Sequence, residues 1–402
     1  MDFNLTDGFR ASGTNMQKFE ELLKQIDDCT SALPVDMTSI SFASLQETED
    51  QNHLIFKMID APQTIAGRLP ALRKMSIEKL EQRNVSQEII EETRKGSRLF
   101  MVLDNAGYWT SGNLSLGIAA RADLQGDGAY SPCDELYSLL MRRYVAKSVI
   151  KPTRGTLIIR EAEGISKAFA CFSGRYRHVP QSILCDFIKG FGTELGNAEC
   201  AGWEVTQFLT DITIEFPSVA DDISKTYELK DEFVPGVRLT TSDTGASSIR
   251  AVGTLRHGKS RIYVDEFTRK HSGEIDLGKL HEDVDKTIFQ NYTKLPARLC
   301  DLMSIDINDP ADCMERVLEQ MGLEDCIGKR IAEKLVEELL LEINPAIKYT
   351  AYDIAVSIMD LPGRYYEDVA TSTVEKLAGF VHKAAFADFT KVNRPIAIGL
   401  TA

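Results

Sequence analysis

Hydrophobic and polar positions alternate along this chain with two different periods, and the period changes several times. From Met16 to Asp28 the apolar residues Phe19, Leu22, Leu23 and Ile26 repeat at helical spacing, with Thr14 or Asn15 placed to cap the helix. Residues 1–15 before it are polar and read as a flexible arm. Short strand-like runs follow at 37–42 and 54–59, then helical patterns at 71–82 and 86–95. An apolar run at 99–103 reads as a buried strand, and a helix is expected over 134–150.

The middle of the chain carries the strand signal. Thr156–Ile159 and Ala168–Phe172 read as paired strands, with a helix over 183–191. In Thr210–Phe216 the residues Ile212, Ile214 and Phe216 alternate onto one face. Residues 248–256 and 261–267 flank His257-Gly258-Lys259-Ser260, the signature of a hairpin with glycine at its turn. Beyond Leu277 the pattern is helical again. Met314, Val317, Leu318 and Met321 form one stripe, and Ile331, Leu335 and Leu339 another. A break at Asn344-Pro345 precedes helices near 351–359 and 372–389. The expected class is α+β: a mixed, β-containing core with helical N-terminal and C-terminal portions. The expected divisions are an arm (1–15), a mostly helical region (16–150), a β-rich core (151–271) and a helical region (272–402).

Composition adds the class but no chemistry. The 402 residues are 43% hydrophobic and 26% charged, an ordinary globular balance. Eight scattered cysteines form no Cys-x-x-Cys pair, and several sit in apolar runs, so reduced core thiols are expected. The N-terminus lacks a basic segment followed by an apolar one, and no run of about 18 apolar residues occurs. A cytoplasmic location without a membrane span is the expectation.

Candidate motifs fail on their geometry. His281-Glu282-Asp283 opens like a zinc-protease helix but has no second histidine one turn on, which leaves a charged, solvated helix start. Gly190-Phe-Gly192-Thr-Glu-Leu-Gly196 is too long for a dinucleotide fingerprint and follows a helix, so it reads as a helix terminus. Asp123–Asp134 only partly mimics a calcium loop, because a glutamate is missing at its last position and Pro132 intrudes. Thr240–Ser248 is dense in small polar groups. It could offer amides to a phosphate, but a turn is the simpler reading. Neither a metal, a cofactor nor a catalytic motif is expected. An enzyme built from distant loops would draw on Asp243, Asp265 and His271.

Charge changes the picture more. The formal net charge is −14, yet Ser138–Pro180 holds nine Lys or Arg against two acids. Arg238–His271 holds seven against three, and Asp301–Glu342 reverses this with twelve acids against four bases. A basic middle with interleaved tyrosines suits a phosphate backbone. The candidate contacts are Arg175, Tyr176, Arg177, Arg250, Arg256, Lys259 and Arg261, and the expected partner is single- or double-stranded DNA. The alternative is that the basic middle meets the acidic C-terminal helices, within one chain or across a homo-oligomer.

Four stretches carry a family likeness. Lys167–Pro180 contains the step Ser173-Gly174-Arg175-Tyr176 ahead of a helix. Pro235-Gly236-Val237 and Thr241–Gly245 follow, and Tyr349–Asp353 lies near the end. In these the chain resembles the phage, prophage and plasmid proteins grouped as domain of unknown function number 932, over about residues 155–360. Thr254-Leu255-Arg256-His257 stands where that family often has a Cys-Asn pair. The resemblance implies a mobile-element context and no particular activity.

Overall fold

The computed structural model describes residues 9–36, 40–48, 51–58, 98–102, 154–162, 165–173, 175–206, 209–243, 245, 247–273, 275–288, 292–365 and 370–393. The helices expected at 71–82, 86–95 and 134–150, and the partial calcium loop, lie outside these residues. Among the described residues the class is α+β, with a six-stranded antiparallel sheet plus helices and a mostly helical C-terminal portion.

Twelve strands form two sheets. In chain order they are β1 (Arg10–Gly13), β2 (Thr30–Asp36), β3 (Ile40–Thr48), β4 (Gln51–Met58), β5 (Arg98–Val102), β6 (Arg154–Ala162), β7 (Ile165–Ser173), β8 (Glu199–Thr206), β9 (Thr210–Glu215), β10 (Val234–Thr241), β11 (Ile249–His257) and β12 (Ser260–Arg269). The first sheet runs β1-β8-β9-β10-β11-β12. The second runs β2-β6-β7-β5-β4-β3, with β5 and β7 parallel. Arg10–Gly13, expected in a flexible arm, instead pairs with Trp203–Thr206 as an edge strand. Four residues are too few to display an alternation.

Strand alternation gives the first sheet two unlike faces. One carries Val205, Ile212, Ile214, Val237, Leu239, Ile249 and Ala251, all buried. It is covered by helices α1 (Met16–Cys29) and α2 (Ile183–Leu195). Asn15 caps α1 by accepting from the Lys18 amide at 2.9 Å, and the helix buries its predicted stripe of Phe19, Leu22, Leu23 and Ile26. Helix α3 (Pro217–Tyr227) follows β9, with proline in its first turn.

Helix α4 (Leu277–Thr287) starts with Gly278, Lys279 and Glu282 exposed, as expected of a solvated helix start, but it holds His281 against this core. The imidazole stacks on Phe191 at 4.7 Å between ring centres, and a Cβ on Gly190 would meet it at 2.5 Å. Gly190 lies inside α2, which ends at Gly196, where φ is +88°. The absence of a side chain at Gly190 lets the two helices close on each other.

The C-terminal portion holds α5 (Lys294–Leu302), α6 (Pro310–Met321), α7 (Leu323–Ile327), α8 (Lys329–Leu341), α9 (Ala351–Met359), α10 (Leu361–Arg364), α11 (Thr371–Phe380) and α12 (Phe389–Val392). The single helix expected over 372–389 breaks after Phe380 into a 3₁₀ turn, Val381–Phe386. These helices share one apolar core that also takes in Phe233, Leu255 and Ile262 from the first sheet. Thr350 and Asp353 form a reciprocal capping box at the start of α9. No helix of the described residues is long and apolar enough to cross a membrane.

Candidate nucleic-acid interface

The second face of the first sheet is polar, and register decides its electrostatics. Arg238 of β10 lies opposite Thr213 and Val252, so the residues one pleat away on each neighbour share its face. On that face Arg10, Arg238, Arg250, Arg256 and Arg261 each find a carboxylate on another strand, from the neighbouring strand for the first three and from β9, on the far side of β10, for Arg256 and Arg261. Arg10 pairs with Glu204 at 2.8 Å, and Arg238 Nε with Asp211 at 2.8 Å. Arg250 grips Glu266 with two bonds of 2.7 and 2.9 Å. Glu215, only 7% exposed, accepts from Arg256 at 2.9 Å and from Arg261 at 2.7 Å. Such cross-strand pairs of opposite sign support sheet pairing.

The candidate residues therefore divide. Arg250, Arg256 and Arg261 sit in this lattice of ion pairs. Lys259 is exposed in the two-residue turn of the β11–β12 hairpin and, among the described residues, forms no ion pair. Arg175 and Arg177 lie elsewhere, beside the C-terminal end of β12. Tyr176 makes an isolated antiparallel bridge with Ser272, and the Arg177 amide donates to the His271 carbonyl at 3.1 Å. This pairing brings Arg175, Arg177, Arg269 and Lys270 into one exposed ridge. Among the described residues Arg175, Arg177 and Lys270 have no carboxylate partner.

Tyr176 itself faces inward. Its ring is 9% exposed, stacking on Phe172 at 3.8 Å and on His271 at 5.5 Å between centres. Its hydroxyl donates to the Asp243 carbonyl at 3.2 Å, and burial holds its pKa well above the ordinary phenol value. It supports the ridge from below.

Beneath the ridge the two sheets meet at a buried ion pair. Arg160 of β6 and Asp243, just past β10, are each 1% exposed, with Nη2 donating to both carboxylate oxygens at 2.7 and 2.6 Å. Arg160 Nε donates to Thr30 Oγ1 at 3.3 Å, which ties α1 to the same point. The Thr240–Ser248 stretch thus supplies a buried anchor as well as a turn. At Gly245 φ is +82°, and a Cβ there would sit 2.7 Å from the Phe172 ring. Of the three groups considered for a loop-built enzyme, Asp243 and His271 share this dry junction, whereas Asp265 is influenced by Lys294 and His382 elsewhere. Among the described residues no group of three potential metal ligands converges.

Among the described residues the basic middle and nearby Lys230 meet C-terminal carboxylates outside the acid-rich stretch. Lys230 pairs with Asp353, His257 with Asp360 and Arg238 with Glu375. Within 301–342 several ion pairs are one helical turn apart, as in Arg316–Asp312 and Lys334–Glu338.

The histidines give this architecture a pH dependence with two signs. Burial lowers the pKa of His178 and of His271, against the pull of Asp243 on both and of Asp27 on His178. Arg160 lowers His178 further, and His178 lowers His271. Both imidazoles are therefore neutral in the folded chain at neutrality. The unfolded chain takes up protons first, so junction stability is full above the ordinary imidazole value and falls with pH down to the folded-state value. His257 is the opposite case. Burial lowers its pKa, but the 2.6 Å bond to Asp360 and the charges of Asp360 and Asp231 outweigh this and raise it. Its contribution is full in acid and is lost as pH rises through the folded value. As pH falls from about 7.5 to about 5.5, amide protection factors, which remove the intrinsic slowing of exchange in acid, should fall at 176–178 and 270–272 and rise at 257–260. A uniform change at both places would contradict this assignment.

Among known proteins, no family model, no curated protein and no solved structure matches this chain.

Proposed function

We propose that this chain is a non-enzymatic, nucleic-acid-associated protein of the phage, prophage or plasmid type. The mobile-element context rests on the family resemblance of Lys167–Pro180 and Thr241–Gly245. The nucleic-acid reading rests on one observation. Arg175, Arg177 and Lys270 project from an anchored ridge without carboxylate partners, while the arginines of the neighbouring sheet face are neutralised. Cations without carboxylate partners are the ones free to release counterions from a phosphate backbone. The ridge is held by the Tyr176–Ser272 bridge, so contact there orders long side chains on a fixed backbone.

The test is fluorescence anisotropy with labelled single- and double-stranded DNA across a salt series. Replacing Arg175, Arg177 and Lys270 together by alanine should reduce the slope of log K against log salt by about 2 to 3, at roughly 0.7–0.9 per phosphate contact. Replacing Arg256, Lys259 and Arg261 together gauges the other half of the candidate surface. An unchanged slope in the first triple variant would remove the ridge from the interface. Absence of binding at low salt would remove nucleic acid altogether and favour self-association.

A further inference from the structure

The polar face of the first sheet is not open along its whole length. Helix α11 and Pro362 roof its middle, leaving a groove of about 310 Å³, at the lower end of the range for small-molecule sites. Its lining includes Gly202, Asp211, Arg238, Arg261 and Tyr263, with Lys259 contributed by the hairpin turn.

The charges that line the groove balance, Glu204, Asp211 and Glu375 against Arg238, Arg261 and Lys259, but the carboxylates are already engaged, Glu204 by Arg10 from outside the groove and Asp211 and Glu375 both by Arg238. Two donors are left over. Among the described residues Lys259 has no ion-pair partner. Arg261 commits Nη2 to Glu215 and leaves Nε buried with no acceptor. A buried donor without an acceptor is an unfavourable arrangement that a bound anionic oxygen would relieve. Space for the rest of a ligand lies over Gly202, where an added Cβ would meet nothing within 4 Å.

From these features we infer that the groove binds a small organic anion, a carboxylate or a phosphate monoester, of about mononucleotide size. Its anionic group sits on Lys259 Nζ and Arg261 Nε, and its body lies over Gly202 beside Tyr263. This site uses none of the ridge residues Arg175, Arg177 and Lys270, so it stands or falls apart from the proposed nucleic-acid contact there.

The experiment is isothermal titration of the full chain with inorganic phosphate, adenosine monophosphate, benzoate and uncharged adenosine. Binding of the monophosphate or of benzoate is expected, and comparison of these two identifies phosphate or carboxylate as the preferred head group. Adenosine should not bind. Lys259→Ala should weaken binding by about tenfold or more, the loss of one charge-assisted hydrogen bond. Gly202→Phe should abolish binding by filling the groove, and Arg175→Ala should leave it unchanged. Lys259 is exposed and unpaired, so its variant tests the site even where Gly202→Phe perturbs folding. The proposal is overturned if none of the anions binds at millimolar concentration. It is equally overturned if adenosine binds as well as its monophosphate, or if Lys259→Ala retains full affinity.

Discussion

Replacing Asp243 by alanine should lower the free energy of unfolding by about 3–5 kcal/mol, the range for removing one partner of a buried ion pair. The magnitude follows from what is left behind. Arg160 is 1% exposed and both of its bonds to Asp243 come from Nη2, so the variant removes a carboxylate that faces a guanidinium where water does not reach. The Asp243 backbone also accepts from Tyr176, which ties the loss to the packing of Phe172 and His271. The double replacement Arg160→Met with Asp243→Leu should recover most of the loss, because no uncompensated charge remains. Denaturant unfolding of the parent and the two variants checks this. If the single and double variants are equally unstable, packing rather than charge holds the seam.

That junction shows where a sequence stops being legible. Arg160 and Asp243 are 83 positions apart, and neither stands out from its neighbours. Arg160 belongs to a run of bases and Asp243 to a run of turn formers. Only the meeting of two sheets makes them partners.

The elements themselves were far more readable. Helices α1, α6 and α8 follow the hydrophobic period closely, because each buries one face and exposes the other, whereas β9 and α9 were legible from their apolar content although they are covered on nearly all sides. β8 escaped because a bulge between Cys200 and Gly202 interrupts its alternation, leaving Trp203 and Val205 as its buried pair. Helix α3 offered a signal, Pro217 in its first turn, which its mixed composition obscured.

The basic middle failed to read for a related reason. Counting charge along a segment sets Arg238, Arg250, Arg256 and Arg261 against Asp243, Asp265 and Glu266. Antiparallel register brings in Asp211 and Glu215 from β9 and Glu375 from α11, all outside the segment counted. Neutralisation across strands is a property of the sheet and is invisible to a linear count. The ridge is the complement: its cations come from residues 175–177 and 269–272, nearly a hundred positions apart, united by one bridge.

The lattice can be turned into a measurement. Glu215→Gln removes the carboxylate that Arg256 and Arg261 share while keeping its shape. The two guanidinium groups are about one-third exposed, so water compensates part of the loss. A cost of about 2 kcal/mol is expected rather than the full value for two charge-assisted bonds. The effect on association should be opposite in sign. Two cations released beside Lys259 extend the positive surface along the hairpin, and the salt slope for duplex DNA should steepen by about 1–2. Binding at low salt should tighten with it. If the variant is less stable yet binds DNA with the parental slope, phosphates do not reach the sheet face, and contact is confined to Arg175, Arg177 and Lys270. If the slope steepens, the neutralised face is a latent part of the interface that Glu215 holds in check.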